Sequence, residues 1–151
     1  MSPGLRVIFL DIDGVLNCRS FVEGLGATEW DKMIDRRAVA RLDLLVRRSS
    51  AEIVISSSWR CHLPIERIEA ILQDHGFDGK ILGITPRRTS SRAAEIQAWL
   101  DAADEAPAAV VILDDLPEMD HLAPYFVQTT WEEGLLDVHV ERALTLLGVT
   151  R

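Results

Sequence analysis

Cysteine is scarce in this chain. Cys18 and Cys61 are the only two among 151 residues, too few for a disulfide framework, and they favour a reducing, cytoplasmic setting. No apolar run approaches the roughly 20 residues that a membrane-spanning helix needs. Met1-Ser2-Pro3-Gly4 leads into apolar residues without a charged leader and signal core. The expectation is a cytoplasmic protein with no membrane partner. A basic field is missing as well, since 16 Lys and Arg stand against 24 Asp and Glu, for a formal charge of −8. That argues against tight, nonspecific binding to nucleic acid, but not against an enzyme that meets a few phosphates locally. The histidines at 62, 75, 121 and 139 are scattered without ligand spacing, which argues against a His/Cys zinc site. Repeats, low-complexity tracts and linkers are absent, and no feature marks an obligate protein partner. The length suits a single domain over 1–151, and 48% hydrophobic residues suffice for one real core.

What the chain does contain is organised around Arg6-Val7-Ile8-Phe9-Leu10-Asp11-Ile12-Asp13-Gly14-Val15-Leu16-Asn17. Apolar and β-branched residues run directly into two aspartates spaced i, i+2, and then into a glycine. Such a run suits a strand buried on both faces. Two aspartates at its end are poor packing residues, because an unpaired buried carboxylate costs several kcal/mol. They call for a cation or a reaction.

Segment 18–34, with Gly24, Gly26 and Trp30, reads as a loop or small flap, too short for a cap domain. Asp35 then caps a helix with Val39, Leu42, Leu45 and Val46 on one face. Residues 52–56 form a second buried strand that runs into Ser56-Ser57-Ser58-Trp59-Arg60. Pro64 suits the first turn of a helix carried by Ile65, Ile68, Ile71 and Leu72. Residues 80–85 are a third strand, weakened by Gly83. Ser90 or Ser91 caps a helix with Ile96, Trp99 and Leu100 on one face. Residues 109–113 form a strand that runs into Asp114-Asp115. Residues 125–129 form the last strand, and Asp137 caps a closing helix through Val140, Ala143, Leu144 and Leu147. This alternation predicts a three-layer α/β sandwich whose sheet is mostly parallel and about five strands wide.

In a parallel sheet the strands' carboxyl ends share one edge, where ligands bind in open α/β folds. That edge would carry Asp11 and Asp13, the serines from Ser56, and Asp114 and Asp115. Converging carboxylates repel strongly unless something positive lies among them. Hard oxygen ligands select Mg²⁺, which completes its shell with water and substrate phosphate. Metal-assisted chemistry on a phosphoryl group is the reading that follows.

The motif Asp11-x-Asp13-Gly14-Val15-Leu16, the strand ending at Ser56, and the strand ending at Asp114-Asp115 together resemble the haloacid dehalogenase (HAD) superfamily of phosphatases and phosphotransferases. Ser56-Ser57-Ser58-Trp59-Arg60 and Glu95-Ile96-Gln97-Ala98-Trp99-Leu100 look more narrowly like the small HAD domains of the "Swiss Army Knife" RNA repair group. The resemblance implies a Rossmann-like HAD fold without a large cap. It also implies a Mg²⁺-dependent phosphatase acting through an aspartyl-phosphate on terminal phosphates of RNA, DNA or nucleotides. Asp11 would be the nucleophile and Asp13 the general acid and base. Gly14 would leave room for the phosphate, and Ser56, with Ser57 as the alternative, would hydrogen-bond the phosphoryl group. Arg92, with Arg87 and Arg88 in competition, would supply the cation where the family more often has lysine. The metal would be held by Asp11, the backbone carbonyl of Asp13, and Asp114 or Asp115.

Other residues carry secondary expectations. Arg60 is positioned to meet a substrate backbone phosphate. Trp30, Trp59 and Trp131 suit core or flap packing better than base stacking. Cys18 and Cys61 read as buried free thiols, and Asp120 as a solvated or capping residue. A small phosphorylated metabolite or a phosphoprotein is the rival substrate class, mildly favoured by the net charge. A non-enzymatic binding module is the remaining alternative.

Overall fold

A computed structural model describes residues 4–87 and 91–149. Five strands build one sheet: β1 (Arg6–Leu10), β2 (Glu52–Ile55), β3 (Ile81–Ile84), β4 (Ala109–Asp114) and β5 (Phe126–Gln128). Their order is β3-β2-β1-β4-β5, and every pairing is parallel. The helices are α1 (Arg19–Val22), α2 (Arg36–Ser49), α3 (Ile65–Asp74), α4 (Arg92–Ala102) and α5 (Asp137–Leu146).

The two-residue period of the central strands assigns side chains to two cores, one on each face. Ile8, Leu10, Ile53, Ile55, Val111 and Leu113 pack with the apolar stripes of α2, α3 and α5. Their neighbours Val7, Phe9, Val54 and Ile112 pack on the other face with Ala93 and Ile96 of α4 and with Met119 and Leu122. Both faces are therefore covered, which is why Val7 to Leu10 are fully buried without any polar alternation. Phe9 meets Trp99 edge to face, with ring centroids 5.5 Å apart.

Three expected caps behave differently. Asp35 accepts from the Arg37 N–H and starts α2, and Ser91 accepts from the Ala94 N–H and starts α4. The alternative cap, Ser90, lies outside the described residues. Asp137 does not cap α5: it is the first helical residue, and Leu136 precedes it with its N–H bonded to Nδ1 of His139 at 2.9 Å. The His139 ring, in the first turn, thus satisfies the N–H of the residue before the helix. Similarly, Pro64 stands just before α3 rather than inside its first turn.

Segment 18–34 holds only the four-residue α1 and a single 3₁₀ turn, Trp30–Lys32. Arg67 of α3 ties it down through Asp31 at 3.0 Å. The thiols are not buried as expected: Cys18 is half-buried and Cys61 is exposed, because both fall in short turns beyond the strand ends rather than in the sheet.

The chain steps outward from β1 through β2 to β3, then returns to the other side of β1 for β4. This reversal between β1 and β4 is where an open α/β sheet opens a crevice at its carboxyl edge.

Candidate active site

Ladder hydrogen bonds continue one residue past the strands and align the chemistry at that edge. The Asp11 N–H donates to the Leu113 carbonyl at 3.0 Å, the Ser56 N–H to Leu10 at 2.8 Å, the Thr85 N–H to Ile55 at 3.0 Å, and the Thr129 N–H to Asp114 at 2.9 Å. β3, β2, β1 and β5 therefore present Thr85, Ser56, Asp11 and Thr129 along one edge, and Asp114 ends β4 between Asp11 and Thr129.

Oxygens of Asp11, Asp114 and Asp115 lie within 4.8 Å of one another. Burial is the main force raising the Asp11 carboxyl well above its ordinary range, and the Asp114 charge adds to it against the pull of Arg92. Burial likewise raises Asp114, with Arg92 opposing. Asp115 is raised by burial and by the charge of Asp114. A compact set of hard oxygen donors held in this state fits a small divalent cation. The cluster is complete without the side chain of Asp13.

Arg92, at the start of α4, threads between these acids. Its Nη1 donates to Asp114 Oδ2 at 2.8 Å and to the Ser56 carbonyl, and lies 3.5 Å from Asp11 Oδ1. Burial works against its charge, but Asp11, Asp114 and Glu95 outweigh that and raise it above the usual arginine value. Its Nε lies 3.7 Å from Glu95 Oε1.

Asp13 points to different partners. Its Oδ1 accepts from Trp59 Nε1 at 3.1 Å and from Asn17 Nδ2 at 3.0 Å. Gly14 between them has φ +81, a conformation that disfavours side chains. A Cβ there would sit 2.2 Å from Asp115 Oδ2, so Gly14 makes room for a carboxylate of the cluster. Its carbonyl accepts from the Thr129 hydroxyl at 2.5 Å, and its N–H donates to Asn17 Oδ1 at 2.9 Å.

The family model for the HAD domain in Swiss Army Knife RNA repair proteins matches residues 7–140. The chain belongs to that family. No curated protein matches it. Membership in the HAD class implies hydrolase activity, generally of the phosphatase kind, and the carboxylate cluster of this HAD domain fits metal binding.

The two candidate serines are now distinguished by environment. Ser56 is buried, and its hydroxyl has no hydrogen-bond partner among the described residues. Ser57 Oγ instead accepts from the Trp59 N–H at 3.2 Å and caps the 3₁₀ turn Ser58–Cys61. Among the arginines, Arg92 joins the acid cluster, Arg87 is exposed, and Arg88 lies outside the described residues. Asp120 is exposed, as expected.

Arg60 does not reach outward for a phosphate. Its side chain is only 4% exposed and donates to the carbonyls of Ser57 at 2.6 Å and Thr85 at 3.0 Å and to Glu95 Oε2 at 2.6 Å. With all three of its nitrogens bonded within the protein, the guanidinium ties the Ser57 turn, the end of β3 and α4 together instead. Trp59 is buried, and Trp30 packs edge-on against it with centroids 4.9 Å apart, in keeping with a packing role. Trp131 is half-buried.

Asn17, Trp59, Glu95 and Thr129 are polar residues whose site contacts sequence reasoning did not assign. Asn17 had a signal in its place directly after the acidic motif. Glu95, one turn into a helix that starts with Arg92, had another in the i, i+3 spacing of opposite charges. The Trp59 indole contact spans 46 positions and had none.

Proposed function

We propose that this HAD domain is a Mg²⁺-dependent phosphoric monoester hydrolase acting on terminal phosphates of nucleic acids or nucleotides. One observation supports the reading: at the sheet's switch point a buried carboxylate cluster and an arginine stand beside Ser56, whose backbone carbonyl meets that arginine and whose buried hydroxyl has no partner among the described residues. A buried hydroxyl without a partner is costly, and a phosphoryl oxygen is the acceptor that this chemistry would bring to it.

Asp11, Asp114 and Asp115, with the Asp13 carbonyl, would hold the Mg²⁺. Bound there, the ion supplies positive charge that offsets both the carboxylates and the phosphate. The Asp11 carboxylate attacks phosphorus, the ester P–O bond breaks, and its electron pair leaves with the alcohol oxygen, which takes a proton from Asp13. Asp13 then removes a proton from water as the water oxygen attacks the aspartyl-phosphate, and the bond to Asp11 breaks to regenerate the carboxylate. Ser56 and Arg92 hold the phosphoryl oxygens, Arg92 exchanging carboxylate contacts for phosphate ones. Segment 18–34 adds no large cap, and an open site suits a bulky nucleic-acid end.

A small phosphorylated metabolite is the second reading. It is favoured by the charge of −8 and by the withdrawal of Arg60 into the protein, which removes one surface cation from the site rim. The deciding experiment offers purified protein with Mg²⁺ a panel of 3′- and 5′-phosphorylated oligonucleotides, nucleotides, sugar phosphates and p-nitrophenyl phosphate, alongside Asp11→Asn. Phosphate release from oligonucleotide or nucleotide ends that chelator and Asp11→Asn abolish is the expected result. No release from any substrate overturns the enzyme reading, and equal turnover of sugar phosphates overturns the nucleic-acid preference alone.

A further inference from the structure

Asp13 Oδ1 receives two N–H donors, and both donors are themselves immobilised. Trp59 is 1% exposed and braced by Trp30. Asn17 is also 1% exposed; its Nδ2 donates to the Met33 carbonyl at 2.9 Å while its Oδ1 accepts from the Gly14 N–H. These backbone partners determine which way the Asn17 amide points, and an indole nitrogen is a donor only. Oδ1 is therefore occupied from two directions. Oδ2 is the oxygen of Asp13 left to carry a proton.

We propose that Trp59 is a positioning residue for Asp13: its indole N–H, with Asn17, holds Oδ1 so that Oδ2 carries the proton given to the departing alcohol. The inference rests on the phosphatase reading above and adds a role to it. In the first half-reaction the ester P–O bond breaks, its electron pair goes to the alcohol oxygen, and the Oδ2–H bond breaks to protonate that oxygen. In the second, Oδ2 takes a proton from water. A carboxyl free to rotate would spend part of its time with the proton turned away, and catalysis depends on such orientation. The bracing contacts from Trp30 and Met33 both come from segment 18–34, so the flap supports the acid from behind.

Leaving groups provide the test. Nitrophenolate departs without help from an acid, whereas an alkoxide needs its proton. Trp59→Phe keeps a ring against Trp30 and removes only the donor. Its kcat/KM should fall about tenfold or more for an alkyl ester such as glycerol phosphate, and less than about threefold for p-nitrophenyl phosphate, given that general acids contribute roughly 10²–10⁴-fold. In an Asp13→Asn background the same change should add no further loss on the alkyl ester. An active wild type whose Trp59→Phe form loses both substrates equally, or neither, overturns the inference alone. Phosphorylated oligonucleotide ends, whose leaving group is likewise an alkoxide, serve as the alkyl ester if glycerol phosphate is not turned over, and a wild type that releases no phosphate from any of these substrates overturns the phosphatase reading and the inference with it. Should Trp59→Phe not fold, the indole N–H proton signals of the four tryptophans decide the hydrogen bond. One should move upfield in Asp13→Ala, and none moving overturns the proposal.

Discussion

Glu95 Oε2 accepts from Arg60 Nη2 at 2.6 Å, and both side chains are almost wholly withdrawn from solvent. Through Oε1, at 3.7 Å from Arg92 Nε, the same carboxylate also faces the arginine of the acid cluster. One buried acid thus stands between a guanidinium that builds the fold and one that belongs to the site. Glu95→Gln keeps the shape and removes the charge. We expect it to lower unfolding free energy by about 1.5–3 kcal/mol, the range for a charge-assisted hydrogen bond. Denaturant titration checks this, and a change within about 0.5 kcal/mol would show that the pair contributes little beyond its geometry.

Ser56 and Ser57 should separate stability from function. Ser56→Ala removes a buried hydroxyl that has no partner among the described residues, so thermal stability should hold or rise while phosphate release falls at least about tenfold. Ser57→Ala removes the cap of the 3₁₀ turn and should cost about 1 kcal/mol of stability. Melting curves and phosphate release on both variants make the comparison, and the reverse pattern would transfer the binding role to Ser57.

Gly14→Ala meets two obstacles, a left-handed backbone and Asp115 Oδ2 at 2.2 Å from the new Cβ. The backbone strain is about 1–2 kcal/mol, and relief of the contact displaces a member of the carboxylate cluster. Mg²⁺ affinity, measured by calorimetry, should fall by an order of magnitude or more. Wild-type affinity in a folded Gly14→Ala would place Asp115 outside the metal set.

The acid cluster predicts a pH dependence of stability in the metal-free protein. Asp11, Asp114 and Asp115 all have carboxyls raised above the ordinary 3.8. A raised group contributes stability that is fully present below its unfolded value and is lost as pH climbs through its folded one. Metal-free melting temperature should therefore decline as pH rises above about 4 on account of these three groups. Added Mg²⁺ should restore it by a margin that grows with pH, because the cation binds the ionised carboxylates. Melts across pH 4–8 with chelator and with Mg²⁺ test this; a margin independent of pH would contradict it.

His139 acts in a separate window. Burial, aided by Arg142, lowers it below 6.5, and the neutral ring accepts the Leu136 N–H at the start of α5. A lowered histidine costs stability as pH falls through its unfolded value near 6.5 and reaches the full cost below its folded one. His139→Gln should flatten that acid limb of the melting profile. An unchanged limb would assign it to other groups.

The central strands were legible because burial on both faces leaves no alternation, only short apolar runs such as Val7–Leu10 and Val111–Leu113. The α2 and α4 caps were legible because Asp35 and Ser91 act on neighbours two or three residues away. The α5 start was misplaced because Asp137 and His139 both lie in its first turn, and only the bond to the Leu136 N–H distinguishes them. Arg60 was misread because a charged residue after a strand-end motif looks exposed until its distant partners, Thr85 and Glu95, are known.

By itself the sequence determined the acidic motif at the end of the first strand, the second pair at 114–115, and the α/β alternation that carries both to one edge. Those features are local patterns of hydrophobicity and charge, readable over a few residues. The tertiary structure alone decided which carboxylates converge, that the hydroxyl of Ser57 and not that of Ser56 has a partner among the described residues, and that Asp13 is held by an indole 46 residues away. Those outcomes depend on strand order and register, and hydrogen bonds that short in range cannot be assigned until the sheet has brought distant segments within reach.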